Sequence, residues 1–478
     1  MISTAIDEVR PKPRKALRPG KRRLEWRWET HPWLGLLSAI TGSSAAFLLV
    51  PSDFQEAGRL CLPALLMTLG LMAVPLRVLF TSPASVFHPL PLIAASPAYW
   101  LLLDLIQGSF GLEGVSQEDV RLAFLMIGLF SVSVWVTGLA RPWNLPQVVK
   151  QAATVSLNTS VLFRIGIAAF LLAFLRFAIP SGFDFAAMLA AFGENRWGAP
   201  WARGALGGWD AFLDHIGYFG YMLPPVTAIL ARRVGIFNWR TLLMALASFV
   251  ILALFSTGGG RRIVGVMVGS GLVVWFLSAR PPKLRDLVTL GALMAGLLAF
   301  MQVMLLYRGV GIAAAFSEET QIKQESSHLR IDDNFLRLAQ TIHIIPYSHP
   351  HVGADYLIWV IARPIPRVFW PEKPLDPGFD LPQFLGQSGV SLTVSLVGEL
   401  YMAFGFLGCI GGGLFVGYLA NTLPEVFKTG ATPGALIIFG GGLLALFAGM
   451  RSGIEMILMS YGILAWIVVV WVYRKFQV

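Results

Sequence analysis

Apolar runs, each close to the ~20 residues that a helix needs to cross a bilayer, recur along this chain from residue 33 to residue 473. Hydropathy places their approximate cores at 33–50, 60–80, 90–107, 122–140, 161–179, 211–231, 239–256, 262–279, 286–306, 395–421, 433–449 and 454–473. The expected fold class is therefore an all-α polytopic membrane protein with about twelve transmembrane helices. Two runs are weak. Pro97 interrupts the third, and Pro224 with Pro225 interrupts the sixth; a proline inside a helix removes one backbone donor and crowds the preceding turn. Composition agrees with lipid as the solvent. Only 13% of the 478 residues are charged, against about 25% in a soluble domain.

An even number of spans returns both ends to one side, and charge says which side. The tail, residues 1–30, carries Arg10, Lys12, Arg14, Lys15, Arg18, Lys21, Arg22, Arg23 and Arg27. A basic flank of this kind stays in the cytoplasm and can rest on anionic lipid. This tail holds much of the net charge of +10, so that charge does not point to a nucleic-acid partner. Pro11, Pro13 and Pro19 predict disorder before Glu25. The first run lacks a clear small-residue cleavage site and many spans follow, so no cleaved signal peptide is expected. The remaining loops follow the same bias. Arg141 and Lys150, then Arg232, Arg233 and Arg240, then Arg280, Lys283 and Arg285, then Lys428, then Arg474 and Lys475 fall inside. Asp53, Glu56, Glu113, Glu118 and Asp119 fall outside. Both termini are expected in the cytoplasm, with the chain crossing an inner membrane many times. Trp26, Trp28, Trp33, Trp197, Trp201, Trp209 and Trp471 fall near helix ends, as interfacial belts do. Cys61 and Cys409 sit in apolar runs as small hydrophobes, and two cysteines frame neither a zinc site nor a disulfide scaffold.

The organisation expected is the tail at 1–30, nine helices at 31–306, an extracytoplasmic loop at 307–390, and three helices with a short tail at 391–478. A smaller outer segment, about 180–210, is rich in Gly and Trp. A loop as long as 307–390 is usually functional or has short helices of its own. No internal repeat is visible, which speaks against paired transporter halves.

The exceptions to the inside bias carry the functional information. Arg176, Arg261, Arg262, Arg308, Arg363, Arg367 and Arg451 fall on the outer side, joined by Arg330 and Arg337 within the long loop. A charge at the edge of a membrane run is costly unless paired. Arginine offers a planar fork of donors matched to phosphate oxygens. The glycines of Thr257-Gly-Gly-Gly-Arg-Arg would let backbone N–H groups reach the same anion. The plainer alternative is that these arginines snorkel to headgroups or pair locally, as Arg451 and Glu455 could at i, i+4.

Candidate proton acceptors are Glu399, at the start of an apolar helix, and the loop histidines His343, His349 and His351. The histidine spacing is not a zinc signature. Glu399 could instead form a structural salt bridge with an outer arginine. Asp332-Asp333 reads as a helix N-cap or solvated charge, or as a cation site. Pro364, Pro366, Pro371 and Pro374 predict a rigid, irregular stretch that sets Arg363 and Arg367 over the membrane surface. Phe369 and Trp370 would anchor there or stack on sugar rings.

Taken in order, these features resemble one family. The turn Thr257–Arg262, then Arg308, then Pro364-Ile-Pro-Arg-Val-Phe-Trp-Pro-Glu-Lys-Pro374, then Gly398-Glu-Leu-Tyr-Met-Ala-Phe-Gly405 is similar to the bacterial O-antigen and exopolysaccharide repeat-unit polymerases, relatives of the O-antigen ligases. The likeness covers roughly residues 240–475. It implies a type-C glycosyltransferase membrane fold without a cytosolic sugar-nucleotide domain. It implies that Arg261 or Arg262, with Arg308, grips the pyrophosphate of an undecaprenyl-linked glycan; the loop stretch with Arg363 and Arg367 and the turn with Arg451 are expected to add further walls to the same site. The acceptor would be the non-reducing end of a second lipid-linked repeat unit. Members are generally metal-independent and need no cofactor. The ligases use a histidine of the large loop; here none of the three stands out, so Glu399, His343 and His349 stay open as the catalytic group. The implied partners are undecaprenyl-pyrophosphate glycans, membrane lipid and a chain-length regulator, with no nucleic acid. Two other readings compete: an O-antigen-type ligase that moves glycan to a lipid or protein acceptor, and a transporter or flippase of a lipid-linked or anionic substrate. A metal-dependent polyprenyl-phosphate glycosyltransferase would want acids in the first outer loop, where the spacing of Asp53 and Glu56 does not suit it.

Overall fold

The computed structural model describes residues 28–194, 198–202, 210–257, 260–278, 284–307, 328–329, 331–367, 369–387 and 392–476. Among these the protein is all-helical, with no strand. Every predicted apolar run is a helix: α1 (Pro32–Leu48), α2 (Cys61–Thr81), α3 (Pro89–Gln107), α4 (Gln117–Thr137), α5 (Thr159–Ala178), α6 (Leu223–Val234), α7 (Trp239–Thr257), α8 (Arg261–Leu277) and α9 (Leu284–Tyr307). The long loop contributes α10 (Asn334–Ile344) and α11 (Ala354–Ala362). The chain ends with α12 (Ser395–Thr422), α13 (Pro433–Gly449) and α14 (Gly453–Lys475). Eight helices, namely α2–α5, α7, α9, α12 and α14, are long and apolar enough to cross a membrane. The other four predicted spans, α1, α6, α8 and α13, are shorter, at 17, 12, 17 and 17 residues.

Local chemistry explains the boundaries. Ser116 and Asp119 form a reciprocal capping box at the start of α4, which satisfies donors that a helix N-terminus leaves unpaired. Asn158 and Thr432 cap α5 and α13 one-sidedly, each accepting from a backbone N–H of the first turn. The prolines act where the sequence places them. Pro97 precedes a π turn over Ala98–Leu102 within α3. The displaced Trp100 carbonyl accepts from Asn334 Nδ2 at 3.0 Å, and Trp100 Nε1 donates to the Phe447 carbonyl at 2.9 Å. The irregularity therefore ties α3 to the loop and to α13. Pro224 and Pro225 open α6, which follows helix Asp210–Gly217 through a 3-10 turn at Tyr218–Met222.

Two buried clusters build the bundle. One joins α1–α4 with α10 and α12; the other joins α5–α8 with α13 and α14. Glycine sets the tightest approaches. A Cβ on Gly440 of α13 would lie 2.8 Å from Val274 and 3.0 Å from the Ser270 carbonyl of α8. Small residues of this kind are what lets membrane helices approach closely.

The predicted span 395–421 is not one straight helix. Phe404 (φ −140°) and Gly405 (φ 62°) break α12, and the part before the break folds back on the part after it. Leu400 lies directly against Gly408 and Gly412, and Cys409 Sγ lies 3.6 Å from the Val397 carbonyl. A break frees carbonyls that must find donors. The long loop supplies them: Val352 N donates to Met402 O at 3.1 Å, Gly353 N to Ala403 O at 2.9 Å and His351 Nδ1 to Tyr401 O at 3.1 Å. The segment 395–403 therefore belongs to the loop side of the molecule, and it carries Glu399. A Cβ at Gly408 would overlap the Leu400 carbonyl, whereas one at Gly411 would meet nothing within 4 Å. Gly408→Leu is expected to cost about 1–3 kcal/mol by overpacking. Thermal unfolding of detergent-extracted protein checks this, with Gly411→Leu expected to stay close to wild type.

Candidate anion site at the loop-side end of the bundle

The N-terminal ends of α8 and α14 come together, joined by the ion pair of Arg262 with Glu455. Arg261 and Arg262 are the first residues of α8, whose N-cap, Gly260, offers no side chain to the helix. α14 begins after the short turn that carries Arg451. Both helices direct N-terminal N–H groups and the positive end of their dipoles toward this place. Arg262 pairs with Glu455 in the first turn of α14. Arg451 Nε donates to Asp332 Oδ2 at 2.5 Å, and its Nη1 lies 3.9 Å from Glu455 Oε1. Arg261 Nη2 lies 4.0 Å from Asp332 Oδ1. Three guanidinium groups thus share the carboxylates of Asp332 and Glu455 beside two helix N-termini. Such a cluster draws anions, and phosphate oxygens match the guanidinium fork better than one shared carboxylate does.

A cavity of about 390 Å³ adjoins Arg262 and Glu455. Leu254, Phe255, Leu458 and Met459 form apolar wall, while Arg176 and Asp214 face it as a 2.6 Å ion pair. Arg176 also donates to the Trp201 carbonyl, and Trp201 Nε1 donates to Thr257 Oγ1 at 3.1 Å. The Gly- and Trp-rich segment near 180–210 therefore contributes a wall through Trp201.

Glu399 stands on the other side of the α13–α14 turn. Its Oε2 accepts from Tyr356 Oη and from Gly453 N, each at 2.7 Å. Gly453 must be glycine here, because a Cβ would overlap the Tyr356 hydroxyl and lie 3.4 Å from Glu399 Oε2. Leu396 N donates to Met450 O at 3.0 Å and fastens the turn to α12. Burial, then the Glu399 charge and hydrogen bond, push the Tyr356 phenol well above its ordinary value, so it stays a donor. Glu399 lines a second pocket with Trp359, Asp376, Phe379 and Asp380.

Of the predicted residues, Arg261, Arg262 and Arg451 come together, and Arg176 lines the adjoining cavity. Arg308 and Arg330 lie outside the described residues, as do the basic residues of the tail, Gly258 and Gly259. Arg363 belongs to the Pro-rich stretch, which approaches the cavity rim: the Pro364 carbonyl accepts from His215 Nε2 at 3.0 Å, and Arg363 is within electrostatic range of Tyr461. Arg367 is half-buried and donates to its own turn at Pro371 O. Lys373 holds that stretch rigid, with Nζ 3.1 Å from Arg363 O and 2.8 Å from Ile365 O. Its burial, then the charges of Arg363 and Arg367, hold the ammonium below its ordinary value. Arg337 joins Asp333 and Gln340 within α10 instead of the cluster.

None of the three loop histidines lines the arginine cavity. His343 Nδ1 bonds Asp119 Oδ2 at 2.8 Å, His349 Nδ1 bonds the Pro350 carbonyl, and His351 serves the broken helix. His349 also meets the edges of Phe379 and Phe384 at 5.3 and 5.5 Å. The pair Arg451–Glu455 forms only its longer contact, since Asp332 takes Arg451 and Arg262 takes Glu455. Asp333 occupies the N-cap position of α10 without capping it. Sequence reasoning missed Asp332 as a bridge, along with Asp214, Tyr356, Gly453, Asp376 and Asp380. Asp332 was findable as the acid nearest to Arg330 in sequence, but nothing local marks Gly453 or Asp214. Compared with protein-family models, curated proteins and solved structures, the chain matches none.

Proposed function

We propose that this protein polymerises undecaprenyl-pyrophosphate-linked oligosaccharide repeat units into a surface polysaccharide, an O-antigen or exopolysaccharide. In this reading it is a metal-independent glycosyltransferase of type-C architecture, with twelve spans, cytoplasmic termini and a site on the extracytoplasmic face of a bacterial inner membrane. The observation that carries the reading is the convergence of Arg261, Arg262 and Arg451 with two helix N-termini beside an apolar-walled cavity. A lipid pyrophosphate needs both parts, a cationic clamp for its head and an apolar wall for its tail.

The chemistry follows from the placement. The pyrophosphate displaces Asp332 and Glu455 from the guanidinium groups and accepts their N–H donors. A hydroxyl oxygen of the acceptor sugar bonds to the anomeric carbon of the donor. The bond from that carbon to the pyrophosphate oxygen breaks, and its electron pair leaves with undecaprenyl pyrophosphate. The arginines stabilise the charge that develops there. The hydroxyl proton passes to Glu399, which lines the second pocket and is held by Tyr356 and Gly453.

Reconstitution tests the assignment. Purified protein in liposomes, given synthetic undecaprenyl-pyrophosphate oligosaccharide, is expected to produce a ladder of repeat units and free undecaprenyl pyrophosphate, with or without chelator. A single transfer to a lipid acceptor without a ladder would make it a ligase. Passage of the lipid-linked sugar across the bilayer without elongation would make it a transporter.

A further inference from the structure

The pocket on the Glu399 side differs in chemistry from the arginine cavity. It has a volume of about 270 Å³, and a neighbouring pocket of about 240 Å³ shares Asp376 with it. Together they are as large as an ordinary small-molecule site, ~300–1,000 Å³. Their described walls present four carboxylates, Asp355, Asp376, Asp380 and Glu399, and no Arg, Lys or His. Two aromatic rings stand among them in fixed positions. Trp359 Nε1 donates to the Leu375 carbonyl at 3.1 Å, and Phe379 stacks on Phe384 at 5.2 Å. Among the described residues no three His, Cys, Asp or Glu side chains are grouped closely enough to hold a metal ion. Spread carboxylates between rigid rings suit a polyhydroxylated ligand. Each carboxylate accepts from hydroxyl donors, and the rings cover the apolar faces of a pyranose.

We propose that these joined pockets bind the incoming acceptor sugar and select a neutral or amine-bearing residue over an acidic one. The proposal rests on the polymerase reading for the word acceptor, but not for the binding itself. Placement supports it: Glu399 lines this pocket, and its Oε2 is fastened to the turn that carries Arg451. A hydroxyl bound here sits beside the carboxylate that would take its proton. Selection follows from sign. A uronic acid would bring its carboxylate among four others, whereas an ammonium group would be attracted, and discrimination by like-charge contact is a general device of specificity.

Equilibrium dialysis on full-length protein in nanodiscs tests this with three labelled tetrasaccharides, of glucosamine, N-acetylglucosamine and galacturonic acid. The first two are expected to bind, and the galacturonate about tenfold or more weaker than the N-acetylglucosamine tetramer. The Asp376→Asn/Asp380→Asn variant is expected to narrow that gap to about threefold or less. Galacturonate binding as tight as that of the neutral tetramer, or a gap unchanged in the double variant, would overturn the proposal. A protein that shows this selectivity but elongates no lipid-linked glycan keeps the sugar pocket and loses the polymerase reading. One that elongates glycan without the selectivity loses the pocket alone.

Discussion

The Arg261→Ala/Arg262→Ala variant is expected to lower polymer formation by about 100- to 1,000-fold, the usual consequence of removing donors aimed at developing charge. The loss should fall on elongation and not on membrane abundance, but the two must be separated. Glu455 has only 11% side-chain exposure, and without Arg262 it keeps only the 3.9 Å contact with Arg451. Stripping one partner from a buried pair can cost about 3–5 kcal/mol, because an uncompensated charge remains. A companion variant, Arg262→Ala/Glu455→Gln, removes that liability and is expected to recover thermal stability while staying inactive. Arg262→Lys keeps the charge without the bidentate fork, so it should retain a minor fraction of activity. Product length by gel, normalised to protein in the membrane, reads all three. Full-length polymer from the double alanine variant at normal abundance would remove the clamp from the mechanism.

The helices were legible because lipid imposes a simple rule: every apolar run near 20 residues must satisfy its own backbone, and a helix is the way to do so. The broken α12 was not. Its Gly398-Glu-Leu-Tyr-Met-Ala-Phe-Gly405 reads as continuous helix, and what turns it at Phe404–Gly405 is remote: Val352 and Gly353, some fifty residues earlier, donate to the freed carbonyls. The arginines were legible for a different reason. Arg261, Arg262 and Arg451 oppose the charge bias of the loops, a global pattern that needs no contact information. Their partners had no such mark. Asp332 reads locally as a cap, and only the docking of the loop through Asn334 onto Trp100 brings it to Arg451. The histidines show the converse. Their side-chain chemistry made them candidates, yet His351 is spent on a helix break and His343 on Asp119 at the head of α4.

Glu399→Gln is expected to separate chemistry from structure at the acidic group that lines the second pocket and is fastened to the α13–α14 turn. Glutamine has the shape of the native side chain, and its amide oxygen can still accept from Tyr356 Oη and Gly453 N, both at 2.7 Å in the native site. The variant should therefore extract, melt and bind donor lipid nearly as wild type. What it cannot do is take a proton from the attacking hydroxyl. General-base removal typically lowers kcat by about 10²–10⁴-fold, with KM for the donor little changed. Glu399→Ala gives the contrasting signature. It leaves the Tyr356 hydroxyl and the Gly453 N–H without their acceptor in a buried place, at about 1–3 kcal/mol for each orphaned group, so stability and activity should fall together. Tyr356→Phe removes only one donor and should weaken both quantities modestly. A Glu399→Gln protein that elongates glycan at the wild-type rate would reduce Glu399 to the strut that joins α12 to the α13–α14 turn, and would send the search for the proton acceptor to His349, which meets the edge of Phe379 in the second pocket.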